Sequence, residues 1–259
     1  MDRDQFIAHV ERHAREGGFR LRLGTRVDHI DPEPFRGRRV IVVGPGCSGM
    51  EIAFDLADGG AAKVWLSART PPNILLRQGP GGLPGDLLGI VLLHLPVRFA
   101  DAAARFARRM DLGDLTEYGL PIPEEGVFSR TARLGAAPSI VDREVIEAIR
   151  AGRIEIVRGV ASLDAAGVRL DDGARVEPDA IVCATGYRRG LDALVGHLGE
   201  RGAPRASGGQ AAAKGLRFIG YVPRPGGLGY MAKEAKCAAR AIARELATAR
   251  SAPVQGKAA

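Results

Sequence analysis

The sequence predicts an α/β fold built on a parallel, nucleotide-binding sheet, and three observations carry that prediction. The first is Val40-Ile41-Val42-Val43, four β-branched residues in a row, the pattern of a strand covered on both faces. The second is the turn that follows, Gly44-Pro45-Gly46-Cys47-Ser48-Gly49, a G-x-G-x-x-G spacing that opens into the helical pattern beginning Met50-Glu51-Ile52-Ala53. The third is the alternation of strand and helix patterns, which returns to strands at Ala62–Arg69, Ile154–Val157 and Ala180–Cys183.

In such a turn each glycine has its own task. Gly44 permits the tight bend, Gly46 lets backbone approach a pyrophosphate, and Gly49 lets helix and strand pack closely. The N–H groups of the new helix face the phosphates, helped by the positive end of its dipole. The unit reads as a Rossmann-like dinucleotide site.

The next strand indicates which dinucleotide. Sites for NAD or FAD usually end this strand with Asp or Glu, which accepts from the ribose hydroxyls. Here it ends in Ser67, Ala68 and Arg69, with Arg77 further on. A carboxylate repels a 2′-phosphate, whereas a guanidinium binds one through paired, charge-assisted hydrogen bonds. NADPH is therefore expected over NADH. A solvated arginine after a strand is the plainer alternative.

The remaining elements follow in order. Phe6, Ile7, Val10 and Ala14 predict a helix over 4–16, and Arg20–Val27 alternates like a short strand. Asp31-Pro32-Glu33-Pro34 is a stiff connector. Between Pro71 and Ala137 the pattern changes to an insertion, with a loop at Gly79-Pro80-Gly81-Gly82. Phe99, Ala103, Phe106 and Met110 mark one helix face, and Leu120-Pro121-Ile122-Pro123 ends helical structure. The insertion is expected to form a lid or an interface. Ser139-x-x-Asp142 has capping-box spacing before the helix of Val145, Ile146 and Ile149. Val168-Arg169-Leu170 turns at Asp172-Gly173 as a hairpin. A strand over Leu216–Tyr221 and a helix over about 231–248, with a stripe of Met231, Ala235, Ala238, Ile242 and Leu246, complete the chain; the tail from Ser251 is expected to be disordered.

A chain of 259 residues, 46% hydrophobic, can bury a full core. Its net charge of +7 comes mostly from scattered arginine, without aromatic interleaving or a nucleic-acid recognition motif. Cys47, Cys183 and Cys237 lie far apart with no CxxC, which argues for a reducing compartment and against a zinc site. Cys183 reads as core. The longest apolar run, Leu87 to Val97, is too short to span a bilayer. A cytoplasmic protein acting on a small molecule is expected, with a homo-oligomer left open. His9 and His13 share a helix face, but solvated residues explain them better than a metal pair.

The chain resembles the class B flavin-containing monooxygenases, and more closely the branch of the plant YUCCA enzymes and bacterial FAD- and NADP-dependent oxidoreductases like them. The resemblance rests on Phe35-x-Gly37, Gly44-Pro45-Gly46-Cys47-Ser48-Gly49-Met50-Glu51, the arginine strand end, Ala137-Pro138-Ser139-Ile140-Val141-Asp142, Ala184-Thr185-Gly186-Tyr187 and Phe218-Ile219-Gly220-Tyr221. These run in family order across residues 30 to 248. The resemblance implies an NADPH domain inserted in an FAD domain, with NADPH reducing a flavin that activates oxygen. It implies that Gly44, Gly46, Ser48 and Gly49 hold the NADP pyrophosphate, Arg69 the 2′-phosphate, and that Ala184, Thr185 and Gly186 let backbone approach a cofactor. Pro45, Cys47, Met50, Arg77 and Tyr187 join the candidate cofactor-binding set, and no catalytic residue is assigned. Cys47 stands where the family commonly has Asn.

The N-terminal glycine turn for FAD is missing from the sequence, so a truncated or internally deleted monooxygenase is expected, with FAD binding by this chain in doubt. The expected organisation is an FAD-domain remnant and linker at 1–34, an NADP domain at 35–190 with its insertion at about 79–137, the FAD-domain strand and helix at 191–250, and a tail at 251–259. The rival readings are a non-catalytic NADP-binding module, or a remnant that pairs with a separate FAD-binding chain, and a short-chain type NADPH reductase, for which no Tyr-x-x-x-Lys pair is present.

Overall fold

The computed structural model describes residues 31–79, 85–134, 138–164, 167–186, 191, 204, 206–221 and 227–251. The helix expected over 4–16, the strand over 20–27, the glycine loop from Pro80 to Gly82, Tyr187 and the tail beyond Ser251 lie outside those residues. Chain order is β1 (Arg39–Val43), α1 (Cys47–Asp58), β2 (Lys63–Ser67), β3 (Ile74–Leu76), α2 (Gly85–Leu92), α3 (Val97–Leu112), α4 (Val127–Leu134), β4 (Ser139–Val141), α5 (Arg143–Arg150), β5 (Ile154–Val157), β6 (Val160–Asp164), β7 (Gly167–Leu170), β8 (Arg175–Val176), β9 (Ala180–Cys183) and α6 (Gly227–Ser251).

The central sheet is parallel with order β5-β2-β1-β9. Counting only its own strands, that is third-second-first-fourth, the order of a Rossmann-like half in which the winding reverses beside the first strand. The α/β class expected from the sequence is the observed one. Alternation along β1 explains how both faces are covered. Val40 and Val42 enter a core shared with Met50, Ala53 and Leu56 of α1 and with Val145, Ile146 and Ile149 of α5. Ile41 points the other way, into a cluster with Leu163, Val168 and Leu170. Those three belong to an antiparallel meander, β6-β7-β8, that lies between β5 and β9 in sequence. Burying one such aliphatic side chain stabilises by roughly 1.5–3 kcal/mol, so a strand apolar on both faces is the natural centre of this sheet. Arg39 fixes the start of the β1–β9 pair: its N–H donates to Asp179 Oδ2 at 2.8 Å and its Nη2 to Asp179 Oδ1 at 2.9 Å.

Two compact units divide the chain. One comprises Met1–Gly85, Val97–Ser129 and Pro138–Gly186, the other Asp86–Pro96, Arg130–Ala137 and Tyr187–Ala259. In the second, the buried carboxylate of Glu234 on α6 accepts from Ser207 Oγ and from the Gly220 N–H, 2.9 Å away.

Four local expectations are corrected. Ser139 does not begin a helix: it lies in β4, which pairs in parallel with β3, and α5 starts at Arg143 behind Asp142. The β-branched pair Ile140-Val141 takes the extended form because β3 offers it a partner. The helix marked by Phe99, Ala103, Phe106 and Met110 is α3, and its buried residues are Ala100, Asp101, Ala104, Arg108 and Leu112. Asp101 holds that orientation by accepting from the Phe128 N–H at 2.7 Å and from Ser129, at the start of α4. Cys183 is exposed rather than core. Leu216–Tyr221 forms no strand; among the described residues its one ladder contact is an isolated bridge between Ala213 and Leu216. The expected α6 stripe is buried at Ala238 alone, with Ile242 and Leu246 exposed, and the helix extends to Ser251. The segment after Leu216 is held by isolated bonds rather than a ladder: the Gly208 N–H donates to Phe218 O at 2.8 Å and the Ala212 N–H to Leu216 O at 2.9 Å.

Hydrogen exchange should reflect this difference. Amides of Ile41–Val43 in the doubly covered β1 are expected to exchange slowest, and Ile219 and Tyr221 far faster. Equal protection would mean that the segment after Leu216 has a sheet to join.

Candidate functional site

The glycine turn sits at the carboxyl end of β1, beside the carboxyl end of β9. Gly44 has φ +113°, a conformation that favours glycine, and an added Cβ would lie 2.5 Å from the Ala184 carbonyl oxygen. The Gly44 N–H donates to Ser67 O at 3.1 Å and the Ala184 N–H to Val43 O at 2.9 Å, so the turn is tied to strands on both sides. At Gly49 an added Cβ would fall 1.8 Å from the Gly44 carbonyl oxygen and 3.3 Å from Ala184 Cβ. Backbone of Gly44, Gly49, Ala184 and Thr185 therefore converges at one point, where the strand order reverses.

Gly46 is the opposite case. It stands exposed before α1 in extended backbone, no side chain caps the helix, and nothing lies within 4 Å of a Cβ built there. Ser48 is exposed in the first turn of α1. An uncapped helix start beside open space is an anion-receiving arrangement. Gly186, at φ +90°, also has open space around it. Met50 supports the turn from behind: its side chain is fully buried and its N–H donates to Gly46 O at 3.0 Å.

Pro45 and Cys47 fasten the turn to β4. Ser139 Oγ donates to the Pro45 carbonyl at 2.9 Å. Cys47 Sγ accepts from the Ile140 N–H at 3.2 Å and donates to Pro138 O at 3.5 Å. The helix-cap spacing at Ser139 conceals this brace in the sequence.

Arg69 follows β2, and the paired strand β5 delivers Arg158 to the same end of the sheet. The two strand ends are locked together by Ala68 N–H to Val157 O at 2.8 Å and Ser67 Oγ to Arg158 O at 2.9 Å. Gly159 is pressed against Arg69, whose Cβ lies 2.9 Å from where a Gly159 Cβ would be. Arg158 is exposed, with its Nε 3.4 Å from Asp171 Oδ1. Arg158 is absent from the sequence-derived candidates, although a basic residue directly after a strand of the same sheet is a signal that could have found it. Arg77 has a different setting: its Nε donates to Asp142 Oδ1 at 2.9 Å and its Nη2 to Glu51 Oε1 at 2.8 Å. The Asp142 carboxylate, with Glu51 behind it, raises the Arg77 pKa further above its ordinary value. Arg77 thus braces α1 against the start of α5. Among the described residues no group of His, Cys, Asp and Glu could hold a metal ion, and no helix is long and apolar enough to cross a membrane.

The chain is 32% identical over 213 residues to probable indole-3-pyruvate monooxygenase YUCCA7 of Arabidopsis thaliana, covering 80% of this chain and 48% of that one. It is 34% identical over 201 residues to indole-3-pyruvate monooxygenase YUCCA8 of Oryza sativa subsp. indica, covering 74% and 47%. The chain spans about half the length of the curated relatives it matches. Among solved structures it is similar in fold to OTEMO in complex with FAD and NADP (TM-score 0.52, 14% identity, 83% of this chain and 53% of that one). A variant of the flavin monooxygenase from Stenotrophomonas maltophilia aligns with a TM-score of 0.50 and 20% identity, covering 82% and 52%. The Flavin-binding monooxygenase-like family matches residues 19–194, more than half of the chain, and this protein belongs to that family.

Proposed function

We propose that this chain carries the NADPH-binding part of a flavin-dependent monooxygenase. The observation that carries the reading is the glycine turn itself, closed by backbone contact at Gly44 and Gly49 and open to solvent at Gly46. In this reading the pyrophosphate lies against the first turn of α1, with Gly46 as the point of closest backbone approach and the Ser48 hydroxyl in reach. Arg69 and Arg158 take the 2′-phosphate at the ends of β2 and β5, while Ala184, Thr185 and Gly186 border the cofactor on the β9 side. The bound nucleotide supplies a hydride for a flavin, and the residues of this chain bind and orient it. The NADP domain is assigned to residues 35–190 with its insertion at about 79–137, and 191–250 to the FAD domain. FAD is the second cofactor, by analogy with OTEMO, which binds FAD and NADP together.

A second reading rests on the same glycine turn, which by itself accounts for NADP binding and nothing more. In it, the chain is an NADP-binding module that works with a separate FAD-binding chain. The visible absorption spectrum of the purified protein separates the two: flavin bands support the first, and their absence together with intact NADPH binding supports the second.

NADPH should bind more tightly than NADH, and Arg69→Ala should remove about tenfold to a hundredfold of that affinity. One charge-assisted phosphate contact is worth roughly 1.5–3 kcal/mol. Arg158→Gln should act in the same direction with a smaller loss, since Asp171 already shares its guanidinium. NADH affinity should change little in either variant. Titration of both nucleotides decides it, and unchanged NADPH affinity in Arg69→Ala would remove that residue from the site.

A further inference from the structure

Helix α3 buries the side that an isolated domain in water would leave out. Its buried face carries two charged residues, Asp101 and Arg108, among alanines and Leu112. Arg108 is 6% exposed, and its Nε and Nη2 have no hydrogen-bond partner among the described residues. Meanwhile Phe99, Phe106 and Met110 are 53%, 68% and 69% exposed. Rotating the helix by half a turn would bury all three and release Arg108 to solvent. The observed orientation suits a protein whose outer α3 face does not meet water.

The outward residues are patterned. Phe99, Phe106 and Met110 stand at i, i+7 and i+11, which is one stripe along a helix. Arg98, Arg105 and Arg109 repeat that spacing one residue earlier, so they form a second exposed row about 100° round the helix. The acidic residues of α3 are Asp101, occupied with the start of α4, and Asp111 on the far flank. Asp114, just past the helix, accepts from the Thr116 N–H at 2.8 Å, and no acidic residue of α3 stands in the row of Arg98, Arg105 and Arg109. In sequence, α3 follows a helix that also exposes Leu87, Ile90 and Val91.

We propose that the outer face of α3 docks on an anionic lipid bilayer, with the helix lying in the interface plane. Phe99, Phe106 and Met110 enter the boundary of the acyl chains, and Arg98, Arg105 and Arg109 reach the headgroup phosphates along one edge. A large apolar stripe beside a row of arginine, at low overall hydrophobicity, is the chemistry of an interfacial helix. An arginine row along one edge of the stripe is complementary to headgroup phosphates, whereas an antiparallel pair of these helices would align both arginine rows on the same edge with no acid between them. The inference does not depend on nucleotide binding.

The test is co-sedimentation of the purified protein with vesicles of phosphatidylcholine alone, and of phosphatidylcholine and phosphatidylserine at three to one. Binding should favour the anionic vesicles and weaken as salt rises. Neutralising one arginine of the row should reduce affinity about fivefold, and all three together about a hundredfold. The double substitution Phe99→Ser and Phe106→Ser should abolish binding while the circular dichroism spectrum is kept. An independent variant, Phe106→Trp, should show an indole emission shift to the blue on adding anionic vesicles, against a wild type whose one tryptophan is Trp65. No preference for anionic vesicles, or binding indifferent to the phenylalanines, would overturn the proposal. So would a dimer in sedimentation velocity that Phe106→Ser dissociates, which would give the face to a second copy, or retention by an acidic polypeptide in place of vesicles.

Discussion

Replacing Gly49 by alanine should destabilise the protein by about 1–3 kcal/mol or more, although alanine is the better helix former. Inside a free helix the change would gain roughly 1 kcal/mol. Here the new methyl would sit 1.8 Å from the Gly44 carbonyl oxygen, a backbone atom that cannot swing aside like the end of a side chain. Gly44 is itself held by Ser67 O on one strand and crowded by Ala184 beside another. The strain must therefore spread into β1 and β9 or push α1 off the sheet, where Met50, Ala53 and Leu56 would lose their packing. Nucleotide affinity should fall together with stability, because the turn can no longer close. Urea denaturation with an unchanged m-value and a lower midpoint is the expected result. A midpoint that rises would mean that α1 and the glycine turn are not in contact at Gly49.

What the sequence makes legible follows from how local each signal is. The β1–turn–α1 unit can be read because strand, glycines and helix are adjacent in the chain, and each glycine is required by a neighbour within a few residues. Even the convergence of Gly44 with Ala184 is in reach, since two strands running into small residues suggest parallel neighbours. The brace of Cys47 and Ser139 is not legible, because it depends on β3 and β4 pairing across about 65 residues of insertion. The orientation of α3 is hidden for a related reason. Periodicity reports which residues share a face but not which face is covered, and the cap that Asp101 provides to α4 outweighs the apolar stripe. Arg69 and Arg77 look equivalent in sequence. Two carboxylates from α1 and the loop before α5 give Arg77 a bracing role, while the β2–β5 pairing gives Arg69 a second guanidinium nearby.

Gly46→Val should behave in the opposite way to Gly49→Ala: stability close to wild type and dinucleotide binding lost. Gly46 has extended backbone, φ −75° and ψ 178°, which a β-branched residue adopts without strain. No protein atom lies within 4 Å of an added Cβ, so nothing in the free protein resists it. The space it fills is the space where a pyrophosphate would meet the N–H groups of α1. Losing two charge-assisted hydrogen bonds of roughly 1.5–3 kcal/mol each lowers affinity by at least about a hundredfold. NADPH and NADH should be affected alike, because both carry the same pyrophosphate, whereas Arg69→Ala should discriminate between them. Thermal unfolding followed by circular dichroism, beside titration of both nucleotides, distinguishes all three variants. If Gly46→Val binds NADPH as the wild type does, the phosphates lie elsewhere, and the assignment of Arg69 to the 2′-phosphate falls with that of the turn.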